Sequence, residues 1–395
     1  MVGALSPMDL LEYQGKQLFA AHGIAVPSGE VASTVEDAVA AADRIGYPCA
    51  IKAQVLIGGR GKAGGIKLAA DRDEAEQHAG AILGMDITGP HGEGPFRVDQ
   101  VWIEGASQIA SEYYASVILD RGEKKLLAMV SAKGGMDIEA VAGEDPAALV
   151  KEHIDPTRPF TAGEARPIVA AAGLAEDARD AAAEVLAKLA ETAASEDATL
   201  IEVNPLIVTA DREVVALDAK VTIDGNALYR HEGLAELDAE SIDDPQEAMA
   251  REKGLTYVKL DGNVGILANG AGLCMSTLDV VAQAGGAPAN FLDAGGGSKA
   301  EAIVDALTVI VSDAKVTAIL FNIFGGITRC DEIAKGIVEA SSQLDLGVPL
   351  VVRLDGTNSE EGLEILAGAG LADLHQETTM LGAAQKVVEL AGAGS

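Results

Sequence analysis

Residues 264–272 read VGILANGAG, a short apolar run that ends in a glycine turn. Similar apolar runs occupy 289–292, 317–323 and 348–353, and helical patterns separate them. The runs begin about 25–32 residues apart, and short buried strands at such intervals predict βαβ units with parallel strands. The second half of the chain is therefore expected to form a doubly wound parallel α/β sheet.

Glycine turns follow three of these strands, at residues 269–272, 295–299 and 325–328. In doubly wound folds, ligands bind at the carboxyl ends of the strands, where helix N-termini attract anions. The turns therefore predict an anion site at this edge of the sheet. Tight turns without a ligand are the alternative interpretation.

The composition excludes several classes of function. The chain has 395 residues, which suggests two or three domains, and its 61 acidic against 29 basic side chains give a net charge of −32. Such a surface repels nucleic acid and anionic membranes, so a phosphate ligand would need a local site of cations, glycine amides and metal. The three cysteines show no spacing typical of zinc or a disulfide framework. With no secretory signal and no long apolar stretch, a cytoplasmic protein is expected.

Local patterns predict elements in the first half. Leucines at helical spacing after Asp9 predict a helix over 9–22 with Asp9 as its N-cap. A strand is expected over 96–104, Ala-rich helices over 145–195, and a hairpin over 199–223.

A basic glycine loop is the first candidate site. Lys52 precedes residues 58–65, GGRGKAGG, which match the dinucleotide fingerprint by letter at Gly59, Gly61 and Gly64. That fingerprint requires a helix after the loop, whereas residues 66–70 are expected to form a strand. Glycine amides with Lys52 and Arg60 nevertheless favour phosphate binding. An ordinary glycine hairpin is the alternative.

Polar side chains on the predicted hairpin form the second candidate site. A three-residue loop at 210–212 would place Glu202 opposite Lys220 and Asn204 opposite Asp218. An amide oxygen and a carboxylate on opposed strand positions suit Mg²⁺, which completes its coordination shell with phosphates and water. A solvated polar face is the alternative.

Two further candidates remain. The strand that ends in 102–107, with Glu104 and Ser107, together with Glu112, has the small-residue bend and carboxylates that a nucleoside would contact. His91 is the one histidine in a glycine-rich loop, and it is interpreted as a surface residue.

Several long motifs resemble the β subunit of the succinyl-CoA synthetase family. They are MDLLEYQGKQLF at 8–19, IGGRGKAGGIKL at 57–68, IEVNPL at 201–206, LDAK at 217–220, DGNA at 224–227, LDGNVGILANGAG at 260–272, ANFLDAGGG at 289–297 and NIFGGITRCD at 322–331.

The resemblance implies an ATP-grasp fold followed by a flavodoxin-like CoA-ligase domain. We expect a disordered tail over 1–7 and an ATP-grasp nucleotide-binding domain over 8–240. Its small subdomain spans about 23–103, with 8–22 and 104–240 forming the remainder. A linker over 241–255 and the CoA-ligase domain over 256–395 complete the chain.

The resemblance also implies a reaction and its participants. Succinate, CoA and ATP would give succinyl-CoA, ADP and phosphate, through succinyl phosphate and a phosphohistidine, as a step of the tricarboxylic acid cycle. The histidine and the CoA site would lie on a separate α subunit, in an αβ pair or a heterotetramer. This chain would bind one Mg²⁺ with ATP or ADP, with GTP as the alternative nucleotide, and would carry no covalent cofactor.

Site residues follow from the resemblance, motif by motif. Phosphates would contact Lys52, Gly59, Arg60 and Gly61, and the adenosine Glu104, Ser107 and Glu112. Asn204 and Asp218 would bind Mg²⁺, and Glu202 would steady the partner's histidine loop. The acyl phosphate would contact Asn269, Gly326, Ile327 and Thr328, where Thr328 replaces a frequent Val.

Two other functions remain open. A close relative that uses malate differs only in a few pocket groups shared between subunits. A non-catalytic nucleotide sensor would not require the acidic residues Glu202 and Asp218.

Overall fold

The structure is a computed structural model, and it describes residues 7–89, 92, 94–155, 157–240, 244–295, 300–344, 346–371 and 373–393. The chain divides into two compact units, one ending at His231 and the other beginning at Glu232. His91 and residues 1–6 of the predicted tail lie outside the described residues.

The N-terminal unit contains six α-helices, three 3₁₀ turns and thirteen strands within the described residues. In chain order these are β1 (Met8–Leu10), α1 (Glu12–Ala21), β2 (Gly29–Ala32), α2 (Val35–Ile45), β3 (Cys49–Ala53), β4 (Ile66–Ala69), α3 (Arg72–Ile82), β5 (Asp86–Ile87), β6 (Phe96–Arg97), β7 (Val101–Gly105), β8 (Ile109–Asp120), β9 (Lys125–Ser131), α4 (Ile138–Glu144), the turn Pro146–Ala148, β10 (Val150–Ile154), α5 (Ala162–Ala171), the turn Glu176–Ala178, α6 (Arg179–Ser195), β11 (Ala198–Thr209), β12 (Val214–Ala216), β13 (Lys220–Ile223) and the turn Gly225–Arg230.

These strands form antiparallel sheets. The largest runs β1-β13-β11-β8-β9-β10, with β12 on β11, and a four-stranded sheet runs β2-β7-β3-β4. Helix α1 packs closely beside the segment after β12, since a Cβ built on Gly15 would lie 3.0 Å from the Cβ of Ala219. The missing side chain at Gly15 therefore lets the first turns of α1 approach this segment.

The predicted N-cap at Asp9 is wrong. Asp9 lies in β1 opposite Thr222, and α1 begins at Glu12 with Leu11 as its N-cap. Met8 and Leu10 are buried while Asp9 is exposed, and this alternation is that of a strand. The Gln14 side chain accepts a hydrogen bond from the backbone N of Leu11 at 2.8 Å and so caps the helix.

Other predicted boundaries also change. The Ala-rich region contains a strand as well as helices, because β10 pairs with β9 between α4 and α5. The strand expected over 96–104 is divided into β6 and β7. The predicted hairpin register is correct where Glu202 pairs with Lys220. The strand opposite β11 is interrupted, however, since β12 ends at Ala216 and β13 begins at Lys220.

The C-terminal unit confirms the predicted doubly wound sheet. Its elements are α7 (Glu232–Glu240), α8 (Pro245–Glu252), β14 (Thr256–Lys259), β15 (Val264–Ala268), α9 (Ala271–Gln283), β16 (Asn290–Asp293), α10 (Ala300–Val311), β17 (Ala318–Gly325), α11 (Cys330–Gln343), β18 (Leu350–Gly356), α12 (Ser359–Ala369), β19 (Leu374–Gln376) and α13 (Met380–Ala393).

The sheet order is β14-β16-β15-β17-β18-β19, and among these described strands β14 alone runs antiparallel to its neighbour. The five parallel strands have the flavodoxin-like order 2-1-3-4-5. Residues 241–243 of the predicted linker lie outside the described residues, and the remainder contains α8. Among the described residues, none of the helices is long and apolar enough to cross a membrane.

Candidate functional site

Six charged side chains meet inside the N-terminal unit, and we call them the ionic cluster. Three are cationic and three are carboxylates, so the cluster is neutral when all are charged. They come from α1, β3, β7, the glycine loop and the interruption between β12 and β13: Glu12, Lys16, Lys52, Arg60, Glu104 and Asp218.

Lys52 is surrounded by acceptors. Its Nζ lies 2.9 Å from Glu12 Oε1, 2.6 Å from Glu104 Oε1 and 3.0 Å from the carbonyl oxygen of Leu217. Burial opposes the charged ammonium, but Glu12, Glu104 and Asp218 together raise the pKa of Lys52. The neighbouring carboxylates therefore favour the charged form of this buried side chain.

Arg60 connects the glycine loop to two other segments. Its Nη1 lies 2.7 Å from Glu12 Oε2 and donates to the carbonyl oxygen of Ala53 at 2.9 Å. Its Nη2 donates to both carboxylate oxygens of Asp218, each at 3.1 Å. Burial opposes the charge of Arg60, yet Glu12 and Asp218 raise its pKa.

The neighbouring charges and burial also shift the pKa values of the carboxylates in the ionic cluster. Burial alone would raise the pKa of Glu12, but Lys52, Arg60 and Lys16 hold it well below its usual range. Burial and the charge of Glu12 raise the pKa of Asp218 despite the nearby Arg60. Buried charges require such pairing, because an uncompensated one is strongly destabilising.

The glycine loop turns Arg60 inward. Gly59 and Gly64 have positive φ values of 74° and 83°, and the carbonyl of Gly65 accepts from the backbone N of Ala53 at 2.7 Å. Arg60 is buried, whereas Gly61 and Lys62 are exposed. The loop therefore offers amides and a lysine to solvent on one side and anchors itself through Arg60 on the other.

Glu104 belongs to the ionic cluster, while the other two predicted adenosine contacts lie outside it. Glu104 pairs with Lys16 and accepts from Trp102 Nε1 at 2.9 Å. Ser107 is half-buried just after β7. Glu112 is exposed in β8, where a Cβ on Gly135 would lie 3.2 Å from its Oε2.

The predicted metal ligands Asn204 and Asp218 have different partners. Asn204 Oδ1 accepts from the backbone N of Gly135 at 2.8 Å, and its Nδ2 donates to the Met136 carbonyl at 2.9 Å. Asp218 lies in the gap between β12 and β13, bound to Arg60. The part of the chain that the structure describes shows no group of three or more His, Cys, Asp or Glu side chains arranged to hold a metal.

Glu202 faces a tyrosine. Tyr114 Oη donates to Glu202 Oε2 at 2.9 Å. Burial raises the pKa of Glu202, and the hydrogen bond from Tyr114 opposes this shift. Burial and the charge of Glu202 in turn raise the pKa of Tyr114.

In the C-terminal unit the candidate residues lie at the carboxyl ends of two neighbouring parallel strands. Asn269 follows β15, and its Nδ2 donates to the Phe324 carbonyl at 2.9 Å while its Oδ1 accepts from Phe324 N at 2.8 Å. Phe324 lies near the end of β17, and the loop after this strand begins at Gly326, whose N donates to the Thr328 carbonyl at 3.1 Å. Thr328 is buried, whereas Ile327 is 83% exposed.

Sequence reasoning missed two members of the ionic cluster, Glu12 and Lys16. Both side chains are only 1% exposed, and Lys16 Nζ lies 2.7 Å from Glu12 Oε1. The available signal is the charged pair itself, because residues four apart lie on the same face of the helix predicted over 9–22.

Two family models match the chain. The model described as an ATP-grasp domain matches residues 9–208, and the one described as a CoA-ligase matches residues 267–387. The predicted fold class, an ATP-grasp domain followed by a CoA-ligase domain, is thereby confirmed.

Solved structures show the same fold. ATP citrate lyase from Methanothrix soehngenii, in complex with citrate and coenzyme A, superposes with a TM-score of 0.77 at 19% identity, covering 98% of this chain and 100% of that one. ATP citrate lyase from Methanosaeta concilii gives 0.75 at 18% identity, covering 95% and 98%.

Curated relatives are far closer in sequence, and each is a succinate–CoA ligase [ADP-forming] subunit beta. The protein from Rubrobacter xylanophilus is 50% identical over 98% of this chain and 100% of its own length. Those from Natronomonas pharaonis and Halorubrum lacusprofundi are 54% and 51% identical, over 91% and 97% of this chain and 93% and 98% of theirs. This chain is therefore a ligase subunit that belongs to the family of succinate–CoA ligase [ADP-forming] β subunits.

Proposed function

We propose that this chain, together with an α subunit, converts succinate, CoA and ATP into succinyl-CoA, ADP and phosphate. The phosphoryl group would pass through succinyl phosphate and a phosphohistidine, and the CoA site and this histidine would belong to the α subunit. The observation that carries the proposal is the ionic cluster, which gathers Lys52, Arg60 and Asp218 inside an ATP-grasp domain.

The nucleotide phosphates would bind at Lys52, Arg60 and the amides of Gly59 and Gly61. A chain with a net charge of −32 repels a polyphosphate at long range, so it needs fixed cations and amide donors at short range. The backbone near Glu104 and the side chains of Ser107 and Glu112 would hold the adenosine. ATP is the proposed nucleotide, with GTP as the alternative.

Asp218 and Asn204 would hold one Mg²⁺. A carboxylate and an amide oxygen are the hard ligands that Mg²⁺ takes, with phosphates and water completing the shell. The Asp218 carboxylate remains 30% exposed, so it is accessible once Arg60 releases it. When bound, the ion would neutralise charge on the phosphoryl group. The side chains of Lys52 and Arg60 would orient and stabilise the phosphates from the protein side.

The succinyl group would bind at Asn269 and the loop Gly326, Ile327 and Thr328. Helices α9 and α11 begin just after these residues, and helix N-termini favour an anionic phosphoryl group. Glu202 would steady the partner's histidine loop while the phosphoryl group moves. The reaction is proposed to take place in the cytoplasm.

The test is reconstitution of the chain with its α partner. Thioester formation is followed with Mg-ATP or Mg-GTP, CoA, and either succinate or malate. We expect turnover only from the pair, with a higher kcat/KM for succinate, and loss of turnover in Asp218→Ala. If the reconstituted pair shows no turnover with any combination of the two nucleotides and the two acids, the proposal is refuted. Full activity of Asp218→Ala would favour a nucleotide-sensing role instead.

A further inference from the structure

Glu12 bridges the two cations that the proposed function assigns to phosphates. Its Oε1 lies 2.9 Å from Lys52 Nζ, and its Oε2 lies 2.7 Å from Arg60 Nη1. A phosphate group would bridge a lysine and an arginine in the same way, with one oxygen on each. The carboxylate is only 1% exposed, so solvent screens these contacts little.

The acceptors around Lys52 and Arg60 differ in how easily they can be exchanged. Leu217 and Ala53 contribute backbone carbonyls, which are fixed by the fold. Lys16 holds both Glu12 and Glu104, but Glu104 also accepts a hydrogen bond from Trp102 Nε1. Glu12 is ion-paired with both cations at once and comes from a separate element, α1. A phosphate that reaches both cations would therefore displace Glu12.

We propose that Glu12 is a positioning residue that competes with nucleotide phosphates for Lys52 and Arg60. The inference rests on the proposed function, because it assumes that these cations bind phosphate. Glu12 keeps the side chains of Lys52 and Arg60 buried and oriented toward its own carboxylate. It also fastens the glycine loop through Arg60, so that exchange of Glu12 for a phosphate releases the loop from α1.

The negative charge of Glu12 determines whether its replacement strengthens or weakens phosphate binding. Glu12→Gln keeps the shape but removes a negative charge close to both cations, so a phosphate meets less competition and less repulsion. At an effective dielectric constant of about 20, a unit charge about 10 Å from the phosphate changes affinity by about tenfold, and a nearer one by more. Adenosine has no phosphate, and its affinity should not change.

Isothermal titration of the chain with ADP and with adenosine tests this. The variants are Glu12→Gln, Glu12→Asp and the control Glu30→Gln, which removes a carboxylate from the exposed pair with Arg44. We expect Glu12→Gln to bind ADP about tenfold more tightly. Glu12→Asp, whose shorter side chain cannot reach both cations, should show a smaller gain and carries the test if Glu12→Gln does not fold. The control should match wild type.

The outcomes separate the two proposals. If wild type binds ADP and the Glu12 variants bind it equally or more weakly, the competition is refuted and the nucleotide site stands. If they lose ADP and adenosine affinity together, Glu12 has only a structural role. If wild type binds no ADP, the proposed function fails and the inference fails with it.

Limited proteolysis gives a second readout. Arg60 is 6% exposed, so trypsin cleavage after it requires the loop to open. Without nucleotide, Glu12→Gln should be cut there severalfold faster than wild type and than Glu30→Gln. An unchanged rate would show that Glu12 does not fasten the loop.

Discussion

Replacing Lys16 with Met should destabilise the N-terminal unit strongly. The Lys16 ammonium contacts Glu12 and Glu104, and each of these side chains is only 1% exposed. Without it, three carboxylates face two cations, so one buried negative charge is uncompensated. Breaking a buried pair on one side costs about 3–5 kcal/mol, a large share of the roughly 5–15 kcal/mol that stabilises a typical domain.

The single tryptophan makes this measurable. Trp102 lies in β7 of the same unit and donates to Glu104, so its fluorescence reports unfolding around the ionic cluster. With a urea slope of about 3 kcal/mol per M, the midpoint should fall by about 1 M or more. The slope itself should not change, because the surface exposed on unfolding is nearly the same.

The control is Arg44→Met, which breaks the exposed pair with Glu30 and should leave the urea midpoint close to that of wild type. A midpoint shift for Lys16→Met as small as that of the control would refute the reasoning. It would mean that Glu12 and Glu104 tolerate the loss, either by protonation or by access to water.

Two further predictions concern the C-terminal unit. Gly356→Ala should lower its unfolding free energy by about 1–3 kcal/mol more than the control Gly347→Ala, as measured by urea unfolding followed by circular dichroism. Both glycines have positive φ, but a Cβ on Gly356 would lie 2.2 Å from the Gly325 carbonyl oxygen, and one on Gly347 would have no neighbour within 4 Å. Equal losses of unfolding free energy in the two variants would contradict this prediction. Hydrogen bonds from Arg329, and further ones from Asn358 and Lys335, lower the pKa of Asp331 below its usual 3.8. The Asp331 carboxylate therefore stabilises the folded state at pH values above 3.8, and this stabilisation is lost as the pH falls through the lowered pKa of the folded state. The difference in melting temperature between wild type and Asp331→Asn should therefore shrink as pH falls below 3.8, and a constant difference would contradict the assignment.

The parallel sheet could be predicted because its signals are local. Strands β15 to β18 contain the four predicted apolar runs, and a glycine turn follows three of them within a few residues, as at Asn269. The pairing of Glu202 with Lys220 was also local, since loop length fixes the register of a hairpin. The predicted N-cap at Asp9 is wrong because Asp9 lies between the buried residues Met8 and Leu10, and this alternation belongs to a strand although aspartate is a common capping residue.

The ionic cluster could not be predicted, because its members are distant in sequence. Glu12 and Lys16 have the spacing of an ordinary solvated pair on a helix. They are buried because β7 and the glycine loop cover them. These segments are distant in sequence, so no local sequence pattern predicts the contact. The partners of Asn204, in the loop at Gly135 and Met136, are hidden from the sequence for the same reason.

The contrast between an acidic surface and a neutral interior site predicts how salt affects binding. Proteins that attract polyanions by surface charge lose affinity as salt rises. Here a net charge of −32 repels the nucleotide at long range, while the cations that would bind it are buried and weakly screened. Raising ionic strength should therefore leave ADP affinity unchanged or strengthen it, at a constant saturating Mg²⁺ concentration. Titrations at about 0.05 M and 0.3 M salt would check this. A marked loss of affinity at the higher salt would mean that exposed cations such as Lys62, rather than the ionic cluster, hold the phosphates.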